Sequence, residues 1–179
     1  PHNPVLCEQI TVRIRGVPVV VHAHHIGVLA ARHDHAIRRV ARKPGPADVL
    51  ARIEIDIPVP AAGEVLIRHT AIGVNFIDVY FRQGSYPWPA PQNLVTGSEG
   101  AGVVEAVGPG VTGFTPGQRV AYTLRNGAYA THRVIPANQA VPIPDGISDE
   151  VAAAVMLKGL TAHYLIHHSY AAQVGDTVL

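Results

Sequence analysis

Asn75, Asp78, Tyr80 and Tyr86 stand together in the stretch Ala71-Ile72-Gly73-Val74-Asn75-Phe76-Ile77-Asp78-Val79-Tyr80-Phe81-Arg82-Gln83-Gly84-Ser85-Tyr86-Pro87. Asn75 offers two hydrogen-bond donors and an acceptor from a short side chain, which suits it to hold a polar ligand in one orientation. Tyr80 alone reads first as a core tyrosine on a short helix, and its spacing from Asn75 does not decide between core and site. A second group, Gly97-Ser98-Glu99-Gly100-Ala101-Gly102-Val103-Val104, has the outline G-x-E-G-x-G. It precedes a strand instead of joining a strand to a helix, so it is not a dinucleotide fingerprint. Its glycines fit a tight turn and close backbone packing, and Glu99 there reads as structural before catalytic. A third group is Lys158-Gly159-Leu160-Thr161. A helix starting at this point, with a hydroxyl and free backbone N–H groups, can fix an amide or a phosphate. The plain alternative is a surface lysine and a helix-starting threonine.

The elements that must carry these groups are mostly strands. Pro44-Gly45-Pro46 and Pro58-Val59-Pro60-Ala61-Ala62-Gly63 bracket a run, 49–57, in which Ile53, Ile55 and Ile57 alternate with Glu54 and Asp56. That is the period of a half-buried strand. Further strands are expected over 65–74, 101–107, 118–124 and 127–135, with a short helix over 75–82. Many short strands with Gly/Pro turns suggest a barrel or sandwich. Ser148 then reads as an N-cap, with Asp149 and Glu150 where a helix dipole favours negative charge. Gly159 is expected to divide this helical run in two, the second helix extending from Leu160 to about His168. Residues 173–179 look like a turn and the first strand of a new unit.

Bulk composition narrows the classes. The chain has 179 residues, 47% hydrophobic and 15% charged, with 17 Gly and 15 Pro. That is room for one domain with a real core in a turn-rich globular protein. A net charge of +1 gives no general basic field, which argues against dedicated nucleic-acid binding. No apolar run reaches the ~20 residues of a membrane span. Arg13 to Ala31 imitates a secretory signal until His22, His24 and His25 interrupt it. The single cysteine, Cys7, excludes an internal disulfide and fits a reducing compartment, so the expected location is cytoplasmic. Residues 1–34 are expected to be an extension of unknown structure. Its His22-x-His24-His25 cluster reads as part of an irregular His-rich segment before it reads as a metal site.

The two quoted motifs resemble those of the zinc-independent quinone oxidoreductases, the zeta-crystallin-like branch of the medium-chain dehydrogenase/reductase superfamily, from about His35 to Leu179. The resemblance implies a mainly β fold with short helices: a GroES-like barrel over 35–144, then, over 145–179, linking helices and the truncated start of a Rossmann α/β domain. It implies NADPH in the cleft between the two, with Asn75, Tyr80 and Tyr86 as catalytic residues. Asn75, Asp78, Tyr80, Met156, Lys158 and Thr161 are the implied cofactor contacts. A nicotinamide and a quinone are both flat, so aromatic faces and a few amide or hydroxyl groups suit them.

The resemblance also implies the loss of a metal. Zinc members of the superfamily place ligands where this chain has Asn75, Ser98 and Leu157, which supply no thiolate or imidazole. Without a Lewis acid an alkoxide loses its stabilisation, whereas hydride delivery to an electrophilic quinone or enone remains feasible. The expected activity is NADPH-dependent quinone reduction. The alternatives are an enoyl or alkenal reductase, because polyketide-type enoyl reductases share the pattern Val74-Asn75-Phe76-Ile77-Asp78-Val79, or a non-catalytic crystallin-like or RNA-binding role. A homodimeric parent protein is implied too. The family's Gly-rich pyrophosphate turn would come after Leu179, so the segment by itself is expected to be inactive.

Overall fold

The computed structural model describes residues 6–14, 17–26, 35–88, 93–171, 173 and 175–177. The fold is organised around β5 (Glu64–Gly73), which is buried at Val65–Ile67, His69 and Ala71–Gly73 and exposed at Arg68. It pairs antiparallel with β7 (Glu99–Val107) along one edge. Along the other edge it pairs with β9 (His132–Pro136) at Glu64–Arg68 and with β2 (Val17–Ile26) at Ile72 and Gly73. β8 (Arg119–Thr123) and β10 (Val141–Pro142) extend the sheet beyond β7.

A second sheet has β3 (His35–Ala41) between β4 (Leu50–Asp56) and β6 (Leu94–Val95). Bonds from Arg39 N–H to the Tyr129 carbonyl and from Thr131 N–H to the Ile37 carbonyl, both 2.8 Å, join the two sheets and close the barrel. Val65, Ile67, Val104, Val120, Tyr122 and Ile135 fill its interior at 0–1% exposure. This is the GroES-like, mainly β architecture expected from the sequence.

The expected strands at 49–57, 65–74, 101–107 and 118–124 correspond to β4, β5, β7 and β8. The run 127–135 is strand only from His132, because Asn126 and Gly127 adopt left-handed conformations at φ 57° and 106°. Ala128 and Tyr129 then bond back to the Gly97 and Thr96 carbonyls. The His-rich segment is not irregular. β1 (Leu6–Ile14) and β2 form an antiparallel hairpin in full register, with His22, His24 and His25 on β2.

Helix α2 (Asp149–Tyr164) begins at Ser148, whose hydroxyl accepts from Val151 N–H at 3.3 Å. It continues through Gly159 as one helix and ends in a π turn, Leu165–Ser169. Glycine costs a helix interior about 1 kcal/mol, and tertiary packing outweighs that here. Ala152 and Ala153 lie on Ala71, Ala101 and Ala121 of the main sheet, small residues that let helix and sheet approach closely. Gln173 and residues 175–177 form a turn held by Gln173 N–H on the Asp176 carboxylate at 2.7 Å. The expected opening strand over 173–179 rests on Val174, Val178 and Leu179, which lie outside the described residues. No described helix is long and apolar enough to cross a membrane.

Candidate functional site

The site begins where β5 ends. Gly73 and Val74 lead into Asn75, an extended N-cap (φ −133°, ψ 152°) for α1 (Phe76–Gln83). Asn75 N–H donates to Asp78 Oδ2 at 3.0 Å, so the acidic residue at the third helical position satisfies the cap's own backbone. Gly84 ends the helix in the left-handed region at φ 81°, where a side chain would be strained.

Asp78 is buried. Ser98 Oγ donates to its Oδ1 at 2.6 Å, and Tyr129 Oη to its Oδ2 at 3.2 Å. Burial raises the Asp78 pKa, while the bonds from Ser98, Asn75 and Tyr129 pull the other way. Tyr129 is pushed far above the usual phenol range, first by burial and then by the Asp78 charge. It stays a neutral donor.

Glu99 is the centre of the second half. It has 0% exposure, yet it holds three donors: Asn75 Nδ2 at 2.9 Å and Lys158 Nζ at 2.7 Å on Oε1, and Leu157 N–H at 2.7 Å on Oε2. Glu99 pairs directly with Gly73 across β5 and β7. A Cβ on Gly73 would collide with Glu99 Cγ and Oε1 and with the Ala153 carbonyl. The glycine clears the space that the carboxylate and helix α2 fill.

Asn75 thus links the two buried carboxylates, touching Asp78 through its backbone and Glu99 through its amide. Tyr80 and Tyr86 stand apart from this network. They are half-exposed, with ring centroids 5.8 Å apart in an edge-on arrangement, and Tyr86 also packs on Phe81 at 5.5 Å. Two half-exposed phenol rings can receive a flat ring.

Several expected site residues sit differently from what the resemblance implied. Asp78 is buried, with both its oxygens taken by protein donors. Lys158 and Thr161 lie in the interior of α2, not at a helix start, so their backbone N–H groups do not form a terminal anion site. The Thr161 hydroxyl donates to the Leu157 carbonyl at 2.8 Å. Met156 is half-buried against the alanines that seat α2.

Sequence reasoning passed over Ser98 and Tyr129 as site residues and left Glu99 in a structural role. A glycine directly opposite a glutamate was the one available signal for Glu99, and it appears only once the strand register is known. At the positions where zinc relatives carry ligands, Asn75 and Ser98 bond carboxylates through N–H and O–H groups, and Leu157 contributes a backbone N–H.

This barrel, closed over a buried core and with the alanine face of one helix docked on its main sheet, is matched by known proteins. The family described as alcohol dehydrogenase GroES-like domain matches residues 61–145. A quinone oxidoreductase of Pseudomonas aeruginosa is 50% identical over 137 residues, 75% of this chain and 42% of that protein. A 2-haloacrylate reductase of Burkholderia is 44% identical over 146 residues, 78% of this chain and 44% of that protein. The crystal structure of Escherichia coli quinone oxidoreductase complexed with NADPH superposes with a TM-score of 0.72 at 41% identity, covering 75% of this chain and 41% of that one. The chain carries the alcohol dehydrogenase GroES-like domain over residues 61–145 and is similar to quinone oxidoreductases, spanning about two fifths of the length of these relatives.

Proposed function

We propose that the protein is an NADPH-dependent quinone reductase, in which this chain supplies the barrel side of the cofactor cleft. The observation that carries this reading is Asn75, an amide fixed by Glu99 at the start of the helix that also carries the half-exposed Tyr80, itself paired with Tyr86. Those residues fit a flat ring bearing an amide. The phenol rings supply faces and edges, and Asn75 supplies an orienting hydrogen bond from a side chain that cannot swing freely.

Bound NADPH supplies a hydride. The chain's own part is to bind and orient. Tyr80 and Tyr86 exclude water from one side of the bound rings, and Asn75 fixes the direction of the polar group it meets. The charged groups of the network are engaged with protein partners: Lys158 donates to Glu99, and Asp78 accepts from Ser98 and Tyr129. An acceptor that is already electrophilic suits such a site better than an alcohol that must be ionised.

A second reading, reduction of an activated carbon–carbon double bond, is favoured by the similarity to the 2-haloacrylate reductase. Steady-state turnover of the full-length protein with NADPH, on a benzoquinone and on a 2-alkenal in parallel, separates the two. The expected result is a higher kcat/KM on the quinone. A strong preference for the alkenal replaces the first reading with the second, and turnover of neither removes both.

A further inference from the structure

We infer that Lys158 is a positioning residue for Asn75: its ammonium holds the buried Glu99 carboxylate, and that carboxylate holds the amide. The inference deepens the proposed function and rests on Asn75 touching the cofactor. Glu99 Oε1 accepts from both Lys158 Nζ (2.7 Å) and Asn75 Nδ2 (2.9 Å), so one oxygen couples the cation to the amide. An ionised carboxylate only accepts, so the amide must turn its nitrogen inward. That choice fixes which atoms Asn75 has left for a ligand: its second N–H and its carbonyl oxygen.

The ammonium itself is directed inward. Its other contacts are the Val74 and Ala154 carbonyls at 3.5 and 3.4 Å, both longer than the bond to Glu99. Lys158 therefore serves the site at one remove, instead of meeting the cofactor directly. The arrangement is built from three separate elements. Glu99 comes from β7, Asn75 from the start of α1 and Lys158 from the middle of α2, with Gly73 clearing the space. Other groups that face Glu99 electrostatically are Asp78 on α1 and the Tyr129 phenol ahead of β9. Neither supplies positive charge, and Asp78 opposes it. Among the described residues, Lys158 is the cation paired with Glu99.

Removing that cation strands a fully buried carboxylate, which responds by taking up a proton. A protonated Glu99 becomes a donor, and the Asn75 amide turns its oxygen inward to meet it. The face offered to the ligand is then reversed.

The test uses the full-length protein with Lys158→Met, Lys158→Arg, Asn75→Ala and the double variant Lys158→Met/Glu99→Gln. NADPH dissociation constants are measured by fluorescence, protonated carboxyl groups by infrared difference spectroscopy, and the fold by circular dichroism. Lys158→Met is expected to weaken NADPH binding by about tenfold, the scale of one misdirected hydrogen bond. It should also gain a protonated-carboxyl band that is absent from the double variant. Lys158→Arg is expected to keep binding near wild type, because a guanidinium can also hold Glu99. Should Lys158→Met weaken binding without the band and without recovery in Lys158→Arg, the lysine contacts the ligand itself and the positioning role is wrong. Wild-type binding in Lys158→Met overturns it as well. Should Asn75→Ala bind NADPH like wild type, the reading of Asn75 as a cofactor contact fails, whatever the band shows. If Lys158→Met does not fold, Lys158→Arg with Glu99→Gln decides: impaired binding in Glu99→Gln beside intact binding in Lys158→Arg supports the relay, and intact binding in both overturns it.

Discussion

Asp78 and Glu99 are two carboxylates buried within one network, and they are kept there by different means. Glu99 has a cation, Lys158, whereas Asp78 has only neutral donors from Ser98, Tyr129 and the Asn75 backbone. Removing one donor from a buried acceptor costs roughly 1–3 kcal/mol, because the desolvation of the group is no longer offset. Ser98→Ala is therefore expected to lose about 2 kcal/mol in urea unfolding. Tyr129→Phe, which gives up the longer 3.2 Å bond, should lose less. Equal losses, or none at Ser98, would show that the Asp78 carboxyl is satisfied in some other way. The motif singled out Asn75, but its partners were not legible, because Glu99 and Lys158 are far from it along the chain and meet it only through the strand register and the docking of α2. The motif also marks Asp78, and its place at the third position of α1 turns it toward the N-cap, where Ser98 and Tyr129 also reach it.

At the scale of elements, helix α2 is the part that the sequence misdescribed and the fold depends on. Its start is pinned by Asp149, which accepts from the Arg119 guanidinium at 2.6 Å and from Thr70 Oγ1 at 2.6 Å. Its middle is pinned by Lys158 on Glu99. Between the two, small side chains at 152–154 bring the helix backbone against the sheet, and Gly73 answers them from the sheet side. Gly73→Ala must push Glu99 or the Ala153 carbonyl aside. Overpacking of this kind typically costs about 1–3 kcal/mol. The expected result is a lower unfolding midpoint together with weaker NADPH binding by the full-length protein, since Asn75 loses its fixed partner. A stability loss with unchanged binding would separate the helix seat from the site. The strands of the barrel were readable where one face is wet, as in β4, whose isoleucines are half-buried and whose Glu54 and Asp56 are exposed. The hairpin of β1 and β2 was not readable in that way. Runs such as Val19-Val20-Val21 next to clustered histidines carry no clean alternation, so pairing with β1 along its length, and with β5 at His25 and Ile26, defines the strand where periodicity does not.

For the molecule as a whole, the buried histidines set the response to acid. His69 lies inside the barrel, with Nδ1 2.7 Å from the Ala130 carbonyl and Nε2 2.7 Å from the Tyr122 hydroxyl. Burial lowers its pKa from 6.5 to about 4, although the Ala130 bond acts in the opposite sense. The folded value lies below the unfolded one, so the native state prefers the neutral ring. That contribution is complete above pH 6.5 and is lost progressively as the pH falls toward 4. A displacement from 6.5 to about 4 corresponds to about 3 kcal/mol on full protonation. His132 is also lowered, mainly by burial and against the pull of Glu105, and adds in the same direction. Asp78 works the other way. Its raised pKa means that ionisation opposes folding, so acidification through its range relieves a cost. His69 and His132 act in the same sense, and unfolding free energy is expected to fall as the pH drops from 6.5 to about 4. Urea titrations of wild type and His69→Gln across this interval provide the check. The variant starts less stable, because it disturbs the Ala130 and Tyr122 bonds, but its stability should fall less steeply with acid. Parallel pH dependences in the two proteins would mean that His69 protonates as readily in the folded barrel as in the unfolded chain, and would remove it as the source of acid sensitivity.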